Sequence, residues 1–342
     1  MQSLFNIINI PLSYILKFLS DIFGGNFAAS VFVFTLLANI ALIPLSIKSQ
    51  KSSVQQMRIK PKLDELKKRY GDDRQKMAEA QQKLYQEENV SMSGGCLPLI
   101  IRLVLMMSIY WLILSPLTYM SGADKTKVNN VTTAISTNIS KIKKEDSESY
   151  EKFKKETNWN EKNSNNQLGI IRLIRENPEE IEQILPKKEY KKIKGDLKYI
   201  IEKDEKAGID YSFLGMDLTQ SPQFNIDIFS KFQKIWLLPI MAFLAQMLTS
   251  VISMLIQKKN NPDAPSMAGM MLTMPLISLF IGFTFPGGVC FYWICSSLIG
   301  GFIQSGVQLV YGPHKMLAKE RAKEIKKQCE FEEKQLGRKF LD

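Results

Sequence analysis

Histidine and cysteine are scarce in this sequence, which has one histidine and four cysteines in 342 residues. The cysteines (Cys96, Cys290, Cys295 and Cys329) show no metal-binding spacing, and three of them lie in or beside apolar runs. We therefore expect them to have packing roles. His314 alone offers little material for a zinc site or for histidine-based catalysis. We expect no metal and no cofactor.

Catalytic motifs are missing as well. The chain has no Walker A sequence, no Gly-x-Ser-x-Gly and no His-Glu-x-x-His. No acidic pair lies inside an apolar run, and no paired repeat is evident, although ion-driven transporters commonly carry both. These absences predict a protein that is not an enzyme.

Charge is absent from one long stretch, residues 266–311. It holds two apolar runs, Ser266–Phe285 and Val289–Tyr311, separated by Pro286-Gly287-Gly288. A helix needs about 20 apolar residues to cross the hydrocarbon core of a bilayer, so each run is long enough. The stretch predicts a tight transmembrane hairpin in a membrane protein.

The remaining apolar runs extend this pattern to an all-α integral membrane protein with five transmembrane helices. The predicted spans are residues 26–47, 96–119, 235–256, 266–285 and 288–311. Residues 1–25 are apolar but contain Pro11, Lys17 and Asp21, which favours an amphipathic helix lying in the membrane interface.

Three polar segments separate or follow these spans. Residues 48–93 predict a helical hairpin, and residues 312–342 predict a basic tail. Residues 120–234 form a long polar insert, which we expect to be helical from Leu168 onward, with two or three amphipathic helices. Its earlier part, residues 123–166, has few apolar residues, so we expect partial disorder there.

The distribution of lysine and arginine predicts the orientation. Residues 48–93, 257–265 and 312–342 carry most of the basic residues outside the insert, and basic loops face the cytoplasm. The prediction is therefore an outside N-terminus, a cytoplasmic hairpin, an extracytoplasmic insert and a cytoplasmic C-terminus. Membrane topology is also a simpler cause of the net charge of +11 than nucleic-acid binding.

Polar side chains inside the predicted spans are candidate functional residues. Asn39 and Arg102 lie at similar predicted depths below the cytoplasmic face, and an arginine near mid-bilayer costs about 2.5–3.5 kcal/mol on insertion scales. Arg102 could instead extend to the nearby headgroups. Gln246, Thr249 and Ser253 share one face of the third span, because they follow at i, i+3 and i+7. Asn39 and Arg102, as two polar groups at one depth, predict a shared hydrated cavity.

Several short motifs resemble the YidC/Oxa/Alb family of membrane protein insertases. They are Gly94-Gly95-Cys96-Leu97-Pro98, Phe213-Leu214-Gly215-Met216-Asp217-Leu218, Met274-Pro275, Phe285-Pro286-Gly287-Gly288, Tyr292-Trp293 and Gln304. The resemblance covers roughly residues 1–120 and 211–311. It implies a five-helix core with a hydrophilic groove open to cytoplasm and lipid, through which nascent membrane proteins are inserted and folded without nucleotide hydrolysis.

The resemblance also implies partners and a location. The expected partners of this protein are nascent membrane proteins and the lipid bilayer. The ribosome, contacted through the basic tail, and the Sec translocon are further candidate partners, and no specific nucleic-acid sequence is expected to bind. The expected location is the bacterial plasma membrane, in a Gram-positive-like form without a large N-terminal external domain. The expected groove residues are Arg102, Asn39, Gln246, Thr249, Ser253 and Gln304.

One position departs from the family pattern. The bacterial members usually carry a groove arginine in the first core helix, where this chain has Asn39, and an uncharged glutamine where it has Arg102. Our hypothesis is that the positive charge has moved to the facing helix. Two other classes of protein stay open: a small-solute transporter or channel, and a structural membrane protein with an external binding domain.

Overall fold

A computed structural model describes residues 2–71, 73–88, 90, 97–157, 159, 167–222, 232–260 and 268–336. The described residues are mostly helical, with a two-stranded antiparallel β-hairpin and a 3₁₀ turn at Lys234–Trp236. The helices are α1 (Gln2–Ile22), α2 (Phe27–Ala41), α3 (Ile43–Tyr70), α4 (Arg74–Glu87), α5 (Leu97–Leu114), α6 (Pro116–Tyr119), α7 (Lys125–Glu145), α8 (Ser147–Thr157), α9 (Gln167–Glu176), α10 (Pro178–Ile184), α11 (Lys187–Ala207), α12 (Leu237–Asn260), α13 (Ala268–Gly282), α14 (Gly287–Tyr311) and α15 (Pro313–Leu336). The strands are β1 (Ser212–Phe213) and β2 (Met216–Asp217).

Two helical stretches are long and apolar enough to cross a membrane, Lys234–Lys259 and Gly287–Gln335. A bent pair, Phe27–Ala41 and Ile43–Ser52, gives a third if it counts as one span. Shorter apolar helices lie inside the predicted second and fourth spans. The described residues thus confirm a mainly helical membrane protein, and the number of five spans stays a prediction.

The first predicted span is not one straight helix. It is broken at Leu42, and the two parts are bent by 41°. Pro44 explains the break, because proline has no N–H and its ring collides with the carbonyl four residues earlier. The helix that begins after the break runs without interruption to Tyr70 and so crosses the predicted start of the polar hairpin at residue 48, which stays a prediction.

The second predicted span also ends in a break. Helix α5 stops at Leu114, and α6 begins at Pro116 after the single residue Ser115. The residue before a proline is driven out of the helical region, which accounts for the interruption. The predicted entrance to this span, Gly94-Gly95-Cys96, lies outside the described residues.

The expectation of partial disorder in residues 123–166 was wrong for residues 125–157, which form α7 and α8. Asp124 caps the start of α7 by accepting hydrogen bonds from the backbone N–H groups of Thr126 and Lys127. Val128, Val131, Ile135 and Ile139 then follow at helical spacing and are buried. These few apolar residues suffice because all of them share one face.

The polar hairpin consists of α3 and α4. Asp73 caps α4, because its carboxylate accepts a hydrogen bond of 3.1 Å from the backbone N–H of Lys76. This bond, together with a second one from the side-chain ammonium of Lys76, holds the pKa of Asp73 below its ordinary value. Asp73 therefore marks the start of α4, three residues after the end of α3.

The chain divides into two compact units. The first comprises residues 1–38, 104–250 and 268–300, and the second comprises residues 39–103, 251–267 and 301–342. The first unit contains one hydrophobic core to which both the apolar helices and the insert contribute, with Phe27, Ile113 and Leu168 fully buried. In the second unit, α3 packs against α4 and α15.

Candidate functional site

One polar pair links two apolar helices of the first unit. The Ser278 hydroxyl on α13 donates a hydrogen bond of 2.5 Å to the side-chain Oε1 of Gln246 on α12, and it lies 2.7 Å from the carbonyl oxygen of Pro275. Both side chains are half-buried. A glutamine amide inside an apolar helix needs such a partner, because an unpaired polar group in hydrocarbon is costly.

Thr249 was predicted to share the polar face of Gln246. Its hydroxyl is buried and lies 3.0 Å from the carbonyl oxygen of Ala245, one turn earlier in the same helix. A hydroxyl bonded in this way is satisfied without a ligand. Of the two predicted site residues in this unit, Gln246 is therefore the one that is more available to a substrate.

The other predicted groove residues fall in the second unit. The side chains of Asn39, Ser253 and Gln304 are half-buried, on α2, α12 and α14 respectively. The backbone of Arg102 lies in α5, but its side chain is outside the described residues. Because the six residues are divided between two units, the shared groove stays a prediction.

Three further polar side chains inside apolar helices were not predicted from the sequence as site residues. The hydroxyl of Ser108 on α5 is fully buried and has no hydrogen-bond partner among the described residues. In the second unit, Ser305 and the Oε1 atom of Gln308 on α14 are likewise buried and unpaired within the described ranges. The signal that singled out Asn39, a polar residue inside an apolar run, would also have found these residues.

The turn between α13 and α14 is held by residues that follow the β-hairpin. The backbone N–H groups of Gly287 and Gly288 donate hydrogen bonds of 2.7 Å to the carbonyl oxygens of Gln220 and Leu218. A Cβ on Gly287 would lie 3.0 Å from the side chains of Ile235 and Leu238, so the close approach favours glycine. Two motifs of the sequence are thus in direct contact.

The start of α2 is joined to the end of the insert by backbone hydrogen bonds. The N–H of Phe27 donates to the carbonyl oxygen of Asp210, and the N–H of Asp210 donates to that of Gly25. The Phe27 ring packs against Tyr211 with centroids 5.0 Å apart. These contacts fix the insert to α2.

An ion pair stabilises the same junction. The guanidinium of Arg175 donates two hydrogen bonds, of 2.6 and 2.9 Å, to the carboxylate of Asp204, and a third of 3.0 Å to the carbonyl oxygen of Ile209. Burial by itself lowers the pKa of Arg175, but its bonds and charge interaction with Asp204 raise it above the ordinary value. The pair ties α9 to α11.

The geometry therefore offers polar groups inside apolar helices and a tightly bonded junction with the insert. The described residues contain no group of three or more His, Cys, Asp or Glu side chains that could hold a metal ion. Cys290 and Cys295 are free and buried, and the Cys290 thiol lies 3.3 Å from the carbonyl oxygen of Gly282, where it packs between α13 and α14.

Comparison with known proteins gives a consistent result. The family described as 60Kd inner membrane protein matches residues 18–174 and 197–311. Membrane protein insertase YidC of Shewanella frigidimarina (strain NCIMB 400) is 38% identical over 105 residues, which are 31% of this chain and 19% of that protein. The protein of the same name from Shewanella baltica (strain OS155) is 41% identical over 106 residues, again 31% and 19% of the two chains. The matched part thus spans about a fifth of these relatives.

Proposed function

The chain belongs to the 60Kd inner membrane protein family, and on that premise we propose that it is an insertase for nascent membrane proteins in the bacterial plasma membrane. The observation that carries the proposal is the family match, which covers most of the chain, in two segments at residues 18–174 and 197–311. The relatives named as membrane protein insertases support the same activity.

The proposed mechanism uses a hydrated groove that is open to the cytoplasm and to lipid. Arg102, Asn39, Gln246, Thr249, Ser253 and Gln304 are its proposed lining. A polar segment of a nascent chain would enter this groove and cross a shortened hydrophobic path. The transfer of the apolar part of the substrate into lipid is favourable in itself, so no nucleotide hydrolysis is needed.

The unpaired polar groups of the apolar helices support this mechanism. The hydroxyls of Ser108 and Ser305 and the Oε1 atom of Gln308 lack hydrogen-bond partners within the described part of the chain. A buried polar atom without a partner costs about 1–3 kcal/mol, unless water or a ligand supplies the missing bond. Water or the backbone of a substrate would supply it in a hydrated groove.

We propose the predicted topology together with this function. The N-terminus and the insert lie outside, and α3, α4 and the basic helix α15 lie in the cytoplasm. Among described residues, α15 carries lysines and arginines spaced along its length, including Lys315, Arg321 and Lys327. This charge fits contact with ribosomal RNA, and a Sec translocon remains a second proposed partner.

Complementation is the experiment that tests the function. A host depleted of its own insertase would express either the parent chain or its Arg102→Ala variant at matched membrane levels. We expect the parent to restore growth and the insertion of a reporter protein. A parent chain that is present in the membrane and restores neither would contradict the proposal.

The variant tests the relocated charge separately. If Arg102 attracts acidic segments of substrates, Arg102→Ala lowers insertion of a reporter with an acidic translocated segment more than that of a neutral one. The double variant Asn39→Arg with Arg102→Gln restores the charge on the facing helix and should recover activity. Equal insertion by the parent and Arg102→Ala would remove the charge hypothesis and leave the insertase function standing.

A further inference from the structure

An apolar cavity of about 520 Å³ lies in the first unit, between the beginnings of α2 and α14 and the β-hairpin. Its lining includes Ala29 and Phe32 from α2, Leu214 from the hairpin, and Cys295 and Ile299 from α14. This volume is within the range of small-ligand sites. The Phe213 ring packs on Phe291 with centroids 4.6 Å apart, which fixes the hairpin as one wall.

Both polar side chains that line the cavity already make a hydrogen bond. Asn26 accepts a hydrogen bond from the backbone N–H of Ala29 through its side-chain oxygen, and the Ser212 hydroxyl donates to the carboxylate of Asp210. The other lining side chains are hydrocarbon or sulfur. The walls therefore suit an apolar occupant and offer little to a charged or strongly polar one.

The hairpin tip carries an unusual residue. Leu214 has φ +51° and Gly215 has φ +73°, the signs of a type I′ turn, whose first position favours asparagine or aspartate. A leucine there is strained, and its side chain is 77% exposed beside the cavity. The turn thus holds the large apolar side chain of Leu214 at the cavity entrance, although its geometry favours asparagine or aspartate at this position.

We propose that this cavity binds one acyl chain of a bilayer lipid, with Leu214 inserted among the lipid tails at its entrance. Phe32, also at the cavity, is 46% exposed, so the cavity is continuous with the apolar surface that α2 presents to the bilayer. Lipid tails are the apolar molecules that surround a membrane helix. In the proposed topology the site belongs to the outer leaflet.

Photolabelling of the full chain tests this site. The protein is reconstituted in vesicles of phosphatidylethanolamine and phosphatidylglycerol that contain a phosphatidylglycerol with a diazirine in its acyl chain. Labelled peptides are then mapped by mass spectrometry. We expect labelling of residues 291–299 that falls at least fivefold in Ala29→Phe, which fills the cavity, while labelling around the exposed Leu248 of α12 stays constant.

Three variants control the result. Leu248→Phe adds bulk at an exposed position outside the cavity and should leave cavity labelling unchanged. Ile299→Trp fills the cavity from its other wall and should reproduce the loss if Ala29→Phe fails to fold. Leu214→Asn suits the turn better, so a loss of labelling in that variant reports the missing apolar side chain and not a damaged hairpin.

Two outcomes would overturn the proposal. Cavity labelling that is unchanged in both filling variants would show that the label reports general contact with lipid. A nascent chain that crosslinks to residues 291–299 in place of lipid would make the cavity a substrate site. Neither outcome bears on the complementation result, so failure of this inference is distinguishable from failure of the proposed function.

Discussion

The insert and the hairpin of α3 and α4 are both lysine-rich and helical, but their buried residues differ. In the insert, Val131, Ile135, Leu168 and Ile200 are at most 1% exposed and belong to the large core of the first unit. In the second unit, α3 and α4 bury Val54, Ile59 and Leu84, and α15 has no buried residue among those whose burial is described. The insert is organised by a core, whereas the hairpin depends on pairing between helices.

This difference indicates where motion is least costly. Regions with few buried apolar contacts open at lower free energy than regions built on a core. The proposed insertase function requires a part of the protein that can move to admit a substrate. The hairpin and α15 are therefore the parts that we expect to move, and the junction around Arg175 and Asp210 is the part that we expect to stay fixed.

The largest effect is expected from a change at the junction itself. In Gly25→Ala the new Cβ would lie 2.3 Å from the backbone carbonyl oxygen of Gly208, at φ +83°. The clash and the strain together should lower the free energy of unfolding of the first unit by on the order of 4 kcal/mol. Thermal unfolding of the purified protein measures the loss.

Gly24→Ala is the matched control. Its φ is +59° and a Cβ there meets no atom within 4 Å, so only strain of about 1 kcal/mol is expected. Equal melting temperatures for the two variants would mean that the close approach at Gly25 is unimportant, and the junction would then not be the fixed part.

The second-largest effect is expected from loss of the ion pair between Arg175 and Asp204. Asp204 is 4% exposed, so Asp204→Ala leaves Arg175 half-buried without its carboxylate. We expect a loss of about 2–3 kcal/mol, below the full cost of breaking a wholly buried pair, because the arginine is partly exposed. Hydrogen exchange should rise in α9 and α11 and stay unchanged in α4. A uniform rise in all helices would contradict the division into a fixed junction and a separate hairpin.

A smaller and more local effect is expected at Asp73. Removal of its cap in Asp73→Ala should speed amide exchange in α4 several-fold. The pKa of Asp73 is lowered in the folded state, so its contribution is present above the ordinary carboxylate pKa and is lost as the pH falls through the lower folded value. The rate of amide hydrogen exchange in α4 of the parent protein should therefore approach the rate in Asp73→Ala only at acidic pH. Parallel pH profiles for the two proteins would argue against the cap.

The smallest effect is expected between α3 and α15. Arg58 and Glu324 form an exposed ion pair of 2.5 Å, worth about 0–1 kcal/mol and weakened by salt. Glu324→Gln should raise exchange in α15 slightly at low salt and not at all at high salt. A large, salt-independent change would show that α15 is held by more than pairing, and the contrast with the insert would then be weaker.

Much of the helical pattern could be predicted from hydropathy and spacing. All five apolar segments contain helices where the structure describes them, and the cap at Asp73 follows from its residue type. The break at Leu42 was less predictable, because a proline near a helix end either terminates it or kinks it. The fold of α7 was missed because a low apolar content hid a one-sided stripe.

The candidate site was harder to predict. The amide of Gln246 stood out in the sequence, but its partner Ser278 is 32 residues away on another helix. Thr249 shares the face of Gln246 by spacing, yet its hydroxyl is satisfied within its own helix. Sequence spacing shows which residues share a face, but it does not show which polar groups are already bonded.

The sequence alone determined the membrane class, the polar insert, the basic segments and the family motifs, because each depends on composition or on short-range order along the chain. Only the tertiary structure decided that Leu218 and Gln220 bond Gly287 and Gly288, and that Leu214 lies beside an apolar cavity. These contacts join residues distant in sequence, and they depend on how helices and the β-hairpin pack in three dimensions. Local patterns cannot specify that packing.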